Sequence, residues 1–91
     1  MRESDEQPSL IEFPTSFPLK IMGEAGAGLE VTVVEIVRRH DTEFVASSVE
    51  TRLSSGGRYI SLTCTVTASS RAMLDALYRE LSAHPQIKYV L

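Results

Sequence analysis

The clearest pattern in the chain is strict alternation of apolar and polar residues between positions 59 and 68. Every second position is apolar or small: Ile60, Leu62, Cys64, Val66 and Ala68. Side chains alternate between the two faces of a strand, so this pattern predicts a strand with one buried face. The other face, which begins at Tyr59, is polar and is expected to be solvated or covered by a partner.

Three further segments are predicted to be strands. Phe17 to Gly23 alternates, and Pro18 is expected at the start of that strand because proline has no backbone N–H for a ladder. Residues 44–53 also show a period of two, with Val45, Val49 and Leu53 on one side, and the following Ser-Ser-Gly-Gly predicts a hairpin. Residues 87–91 form the last predicted strand.

The segment from Leu29 to His40 is rich in β-branched residues, which favours a strand, but its spacing favours a helix. Its apolar residues recur on one helical face, and about 12 residues is long for a strand. We therefore predict a helix, in which Glu35 could pair with Arg38 or Arg39.

A second helix is predicted after Ser69-Ser70, which offers an N-cap. It ends before Pro85 and includes an i,i+4 pair of Asp75 and Arg79. Its apolar face is formed by Leu74, Leu77, Tyr78 and Leu81.

The resulting order, β-α-β-β-α-β, predicts an α+β fold of the ferredoxin-like class. Right-handed crossovers then give a four-stranded antiparallel sheet with both helices on one face. The 91 residues suffice for one core, so residues 10–91 are predicted to be a single domain behind a flexible acidic leader, residues 1–9.

Charge and composition exclude several classes of function. Residues 1–12 carry one basic and four acidic side chains, whereas residues 13–91 carry eight of each, so no basic footprint for nucleic acid is present. No apolar run is long enough to span a membrane, and the N-terminus does not resemble a signal peptide. The single cysteine, Cys64, fits a reducing compartment, and we expect a cytoplasmic protein.

The residues offer no candidate for catalysis, for a cofactor or for a metal. The predicted loop 22–28 contains no cysteine for a soft metal and no cation for a phosphate; Glu24 is its only charged residue. His40 and His84 each fall at the end of a predicted helix, where they are expected to act as caps. Cys64 is expected to be a core residue, so we predict that the protein is not an enzyme.

Two surfaces remain as candidates for binding. The first is the turn after the first strand, which comprises Gly23, Glu24, Gly26 and Gly28; a cluster of backbone N–H groups there could hold a small ligand, although the glycines also suit a tight turn. The second is the sheet face away from the helices, where a neutral, semi-polar surface suits a protein partner or a weak homodimer. It comprises Lys20, Met22, Tyr59, Ser61, Thr63 and Thr65.

The run from Phe13 to Gly23, F-P-T-S-F-P-L-K-I-M-G, resembles the opening signature of the YbeD-like family of small bacterial proteins. The resemblance continues through Tyr59 to Ala68 and Leu77 to Leu81 and closes on Val90-Leu91. It implies a fold similar to ACT regulatory domains. It also implies a regulatory link to lipoate metabolism, because genes of this family often lie beside lipoate-attachment genes. ACT domains bind amino acids near the turn that corresponds here to Gly23–Gly28.

These features are consistent with two functions. The first is a non-enzymatic regulatory or protein-interaction module, and the alternative is an ACT-type sensor of a small, amino-acid-like molecule. A sensor should gain thermal stability from its ligand, whereas an interaction module should not.

Overall fold

Four strands form one antiparallel sheet in the order β2-β3-β1-β4, seen in a computed structural model that describes residues 12–26 and 28–91. The strands are β1 (Thr15–Glu24), β2 (Glu50–Leu53), β3 (Tyr59–Ala68) and β4 (Ile87–Val90). The helices are α1 (Leu29–His40) and α2 (Arg71–Ala83), and a short 3₁₀ turn covers Ala46–Ser48. This topology confirms the predicted ferredoxin-like α+β fold. The predicted leader, residues 1–9, lies outside the described residues.

The two central strands, β1 and β3, pair over ten residues each, from Thr15 opposite Ala68 to Glu24 opposite Tyr59. The alternation predicted for β3 is confirmed, because Leu62, Cys64 and Val66 are fully buried. The facing side chains from the rest of the fold are also buried: Leu19, Ile21, Val33, Val37, Leu77 and Leu81. The core therefore lies between one face of the sheet and the two helices.

Strand β2 is shorter than the predicted strand over residues 44–53. Phe44, in the connection that follows α1, is buried in the core. Ala46–Ser48 then forms a turn in which Val49 N–H donates to Ala46 O at 3.2 Å. Only the last four residues pair with β3, and Val45 and Leu53 are 57% and 59% exposed. The predicted common side of Val45, Val49 and Leu53 is wrong, since the alternation runs across a turn.

Pro18 is the fourth residue of β1 rather than its first. The backbone N–H and C=O groups of Lys20 face β4, where they bond to Leu91. Backbone groups of residues two positions apart in a strand face the same neighbouring strand, so those of Pro18 also face the β4 side. Within the described residues, nothing pairs with β1 there, so the missing N–H of proline breaks no ladder bond.

Both helices lie where the spacing predicts, but two expected ion pairs differ. Arg39 pairs with Glu80 on α2 rather than with Glu35, and Asp75 lies 4.0 Å from Arg71 Nε. The cap at Ser70 is confirmed, since its Oγ accepts a hydrogen bond from Met73 N–H at 3.0 Å. In the described part of the chain, no helix is both long and apolar enough to cross a membrane.

Candidate functional site

The sheet face opposite the helices holds all six residues that the sequence predicted there. The register of β1 and β3 sets Lys20 across from Thr63 and Met22 across from Ser61. Tyr59 and Thr65 follow on β3 at either end of this row. We call this surface the outer face.

The two edge strands add residues to the outer face that the sequence interpretation did not include. On the β4 side, Tyr89 lies opposite Met22, and Leu91 lies beside Lys20. On the β2 side, Arg52 lies opposite Ser61, and Glu50 lies opposite Thr63. The strand order, once predicted, could have supplied Arg52 and Glu50, because it makes β2 a neighbour of β3. It also makes β4 a neighbour of β1, but the outward position of Tyr89 depends in addition on a register irregularity in the β1–β4 pairing.

A shallow trough runs along β3 on the outer face. Ser61 and Thr63 form its floor because their side chains are short, and longer side chains on β1 and β2 rise on both sides. The depression has a volume of about 340 Å³ and is lined by Lys20, Glu50, Thr51, Arg52, Ser61 and Thr63. It offers hydroxyl groups, two cations and one carboxylate to a bound group.

The β1–β4 half of the outer face is more apolar. A second depression of about 340 Å³ is lined by Pro18, Leu19, Lys20, Thr63 and Leu91. Next to it stand Met22, Tyr89 and the exposed side chain of Leu91; Tyr89 and Leu91 are 47% and 64% exposed. Large apolar side chains exposed side by side are typical of surfaces that other molecules cover.

Most charged side chains on the outer face have no ion-pair partner among the residues that the structure describes. Glu24 and Lys88 approach one another at 3.9 Å, and Arg58 lies over the ring of Tyr59 with its guanidinium carbon 5.6 Å from the ring centroid. Lys20 and Arg52 make no ion pair with any residue in the described ranges 12–26 and 28–91. No described carboxylate neutralises either cation, and both line the depression on the outer face.

Two of the four residues predicted for the glycine-rich turn, Gly23 and Glu24, are instead the last residues of β1, because they pair with Ile60 and Tyr59 on β3. The turn itself begins after them, and backbone geometry accounts for its glycines. A Cβ atom at Gly23 would lie 2.5 Å from Gln86 O, so this close approach of β1 to the α2–β4 connection requires glycine. Gly26 and Gly28 have φ angles of 84° and 71°, in the left-handed region, and Gly28 is the N-cap residue of α1. The side chain of Glu24 points to Lys88 at the rim of the outer face.

A small depression of about 220 Å³ lies beside this turn and is lined by Glu24, Pro85, Gln86 and Lys88. Of the four residues predicted for the turn, only Glu24 lines it. The turn and the outer face thus meet at Glu24.

The side chains considered as a nucleophile or as metal ligands are each buried or hydrogen-bonded within the fold. They are Cys64, His40 and His84. Cys64 is fully buried in the core, and desolvation, followed by the charge of Glu30, raises the pKa of its thiol to about 11. His40 Nε2 lies 2.8 Å from Glu80 Oε1, and His84 Nδ1 accepts from Gln86 N–H at 3.2 Å. Among residues 12–26 and 28–91, the structure has no group of three His, Cys, Asp or Glu side chains that could hold a metal ion.

Comparison with known proteins identifies the family. Residues 8–91 match the model of a family described as "Protein of unknown function (DUF493)". This chain belongs to the DUF493 family. The YbeD-like resemblance of the sequence is thereby confirmed.

DUF493 relatives span the whole chain. UPF0250 proteins of Janthinobacterium sp. (strain Marseille) and Leptothrix cholodnii are each 52% identical over 91 residues, which is 100% of both chains. A UPF0250 protein of Bordetella pertussis is 45% identical over the same length.

Solved structures confirm the fold of the DUF493 chain. The structure of protein HP0495 from H. pylori covers 100% of this chain and 96% of its own, with a TM-score of 0.77 at 13% identity. The ACT domain from GTP pyrophosphokinase of Chlorobium tepidum covers 85% of this chain and 97% of its own, with a TM-score of 0.57 at 16% identity. At these identities the likeness shows an ACT-like fold and says nothing of ligand or activity.

Proposed function

We propose that this DUF493 chain is a non-enzymatic module that binds another protein through the outer face. The observation that carries the proposal is the set of side chains brought together there by four strands. Exposed Tyr89 and Leu91 continue the row of Met22 and Lys20, and neither of the two described helices covers them. A flat surface with an apolar half and a polar half resembles interfaces that form reversibly.

The chemistry of the remaining titratable groups supports a binding role over catalysis. The thiol of Cys64 is inside the core, and a raised pKa leaves it protonated and unreactive. His40 is held by Glu80, at the far side of the fold from the trough. The proposal includes the regulatory link to lipoate metabolism that the family resemblance implies. The protein partner is therefore expected among proteins of lipoate metabolism.

The experiment replaces Thr63, at the centre of the trough, with Glu. Thr63 is half-buried on the outer face, so the substitution places a carboxylate in the proposed contact without touching the core. The matched control is Thr42→Glu, because Thr42 is exposed in the connection after α1. Each protein is tested for self-association by sedimentation velocity and for binding of purified proteins that the wild type retains from cell extract.

We expect Thr63→Glu to weaken the association of the wild type with its partner at least about tenfold, which corresponds to about 1.4 kcal/mol, since a larger and charged side chain must be desolvated at the centre of the contact. Thr42→Glu should leave it unchanged. Equal binding by all three proteins would show that the outer face is not the interface.

A sensor of small molecules is the second candidate, and the depression beside Glu24 favours it. Its position matches the ACT-type turn that the sequence resemblance implies. The test is thermal unfolding with a panel of amino acids, lipoate and octanoate. A concentration-dependent rise in Tm with one of these compounds, lost in Glu24→Gln, would support a sensor. An unchanged Tm across the panel would count against this second candidate.

A further inference from the structure

Charge is distributed unevenly between the two sides of the fold. The outer face and its rim carry four basic and two acidic side chains, which are Lys20, Arg52, Arg58, Lys88, Glu24 and Glu50. The other charged side chains of residues 13–91 lie on α1, α2 and the connection after α1, and they comprise six acidic and four basic groups. A body of zero net charge is thus positive on its open sheet face and negative on its helical side.

The positive charges are arranged around the trough. Lys20 and Arg52 lie on the strands that flank β3, and they are offset by two residues because Lys20 lies opposite Thr63 and Arg52 opposite Ser61. Two strand spacings of about 4.8 Å and this offset place their backbones roughly 12 Å apart. Between them, the hydroxyls of Ser61 and Thr63 provide hydrogen-bond donors. The trough also carries the carboxylate of Glu50, opposite Thr63, so its lining has two cations and one anion. This excess of positive charge, with the two hydroxyls, suits carboxylates laid along the trough.

From these features we infer that the protein partner presents an acidic segment that also carries apolar side chains. The carboxylates lie in the trough between Lys20 and Arg52, and the apolar side chains cover Met22, Tyr89 and Leu91. This inference rests on the proposed function and adds the chemistry of the partner. A second copy of the chain, docked face to face, is disfavoured because it would bring two positive surfaces together.

The probe is a synthetic peptide with the sequence of residues 1–12, which contains four acidic residues together with Leu10 and Ile11. A control peptide has Gln or Asn at the four acidic positions. The target is the full chain in which Glu3, Asp5 and Glu6 are changed to Gln, Asn and Gln, so that its own acidic residues do not compete. Binding is followed by the amide shifts in ¹⁵N-labelled protein.

We expect the acidic peptide to shift the amides of Arg52, Ser61, Thr63 and Tyr89, and the control peptide to shift them far less. The Kd should rise steeply with salt, because exposed charges are screened over about 8 Å at physiological ionic strength. Lys20→Glu with Arg52→Glu should weaken binding at least about tenfold. The matched pair Arg38→Glu with Arg79→Glu, which changes two exposed cations on the helices, should change Kd less than about threefold under the same salt.

Shifts confined to α1 and α2, equal binding of both peptides, or face-to-face dimers that persist in high salt would each overturn the inference. The same experiments test the proposed function independently of this inference. If Thr63→Glu abolishes partner binding while the acidic peptide leaves the outer face unaffected, the outer face is the interface and the partner chemistry is wrong. If the peptide binds in the trough while Thr63→Glu leaves partner binding unchanged, the acidic-segment site is real and the proposed interface is wrong.

Discussion

Leu91 forms two backbone hydrogen bonds with Lys20. Leu91 N–H donates to Lys20 O at 2.8 Å, and Lys20 N–H donates to Leu91 O at 3.2 Å. The bonds extend the β1–β4 pairing one residue beyond Val90. They also hold the Leu91 side chain on the outer face, where it remains 64% exposed. The residue therefore contributes to the sheet through its backbone and to the proposed interface through its side chain.

This division of roles at Leu91 can be measured with two variants. Deleting Leu91 removes both backbone bonds and should lower the free energy of unfolding by about 1–3 kcal/mol, at roughly 0.5–1.5 kcal/mol for each bond. Leu91→Ala keeps the backbone and should cost less than about 0.5 kcal/mol, because most of the side chain is exposed. Urea unfolding followed by circular dichroism distinguishes them, and equal losses would contradict the backbone role.

Gly23 is the glycine whose replacement should be most costly. An added Cβ would meet Gln86 O at 2.5 Å and a methyl group of Leu29 at 2.8 Å, so Gly23→Ala should destabilise the protein by about 1–3 kcal/mol through overpacking. The control is Gly56→Ala in the β2–β3 connection, where a Cβ meets nothing within 4 Å. Its Tm should stay within a few degrees of the wild type, and an equal fall in Tm for both variants would argue against the close approach at Gly23.

Cys64 should resist thiol reagents in the native protein. Desolvation raises the pKa of the thiol to about 11 from an ordinary value of 9.0, so the neutral form is favoured in the folded state. The stability from this preference is complete below pH 9 and is lost as the pH rises from about 9 to 11, because the unfolded chain then releases the proton more readily. Labelling with an aromatic disulfide should be slow until urea unfolds the chain, and labelling at the rate of a free thiol would refute the inward register of β3.

Glu80 joins the ends of the two helices by pairing with both Arg39 and His40. Hydrogen bonds from Arg39 and then His40 lower the pKa of this carboxyl below its ordinary 4.5. The resulting stability is present above pH 4.5 and lost as the pH falls through the lowered pKa.

Glu80→Gln should therefore reduce stability at pH 7 but make little difference in acid, where the wild-type carboxyl is itself protonated. The matched control is Glu35→Gln, since Glu35 is exposed on α1 and has no ion pair within the part of the chain that the structure describes. Guanidinium unfolding curves at both pH values give the comparison. A stability difference that is as large in acid as at pH 7 would rule out the ionic role.

Much of the fold follows from local sequence patterns. Prediction and structure differ where long-range contacts determine the conformation of a segment. The alternation from Ile60 to Ala68 identified the buried face of β3 correctly because β1 continues that face with buried Leu19 and Ile21. The valines of α1 did not decide its conformation, because the spacing of Leu29, Val33 and Val37 allows all three to be buried against the sheet. The alternation around Val45 had no such partner, and burial of Phe44 produced a turn instead.

The residues of the outer face were also predicted only in part, because some of them are placed by long-range contacts. Lys20, Met22, Ser61 and Thr63 lie on the two strands whose pairing the fold class specifies, so their common face could be predicted. The contribution of Tyr89 depends on an irregularity in the β1–β4 register between Met22 and Gly23, which no local pattern reveals. The ion pair of Arg39 with Glu80 links residues 41 positions apart and depends on how the helices pack.

The most direct test of the account is photo-crosslinking from the outer face in living cells. A photoreactive phenylalanine analogue replaces Tyr89 on the outer face in one protein and Val31 on α1 in another, because both side chains are well exposed at 47% and 65%. We expect a discrete crosslinked partner from position 89 that is lost when Thr63→Glu is added, and no such product from position 31. A partner crosslinked from position 31 and not from position 89 would contradict the claim that this protein acts through its outer face.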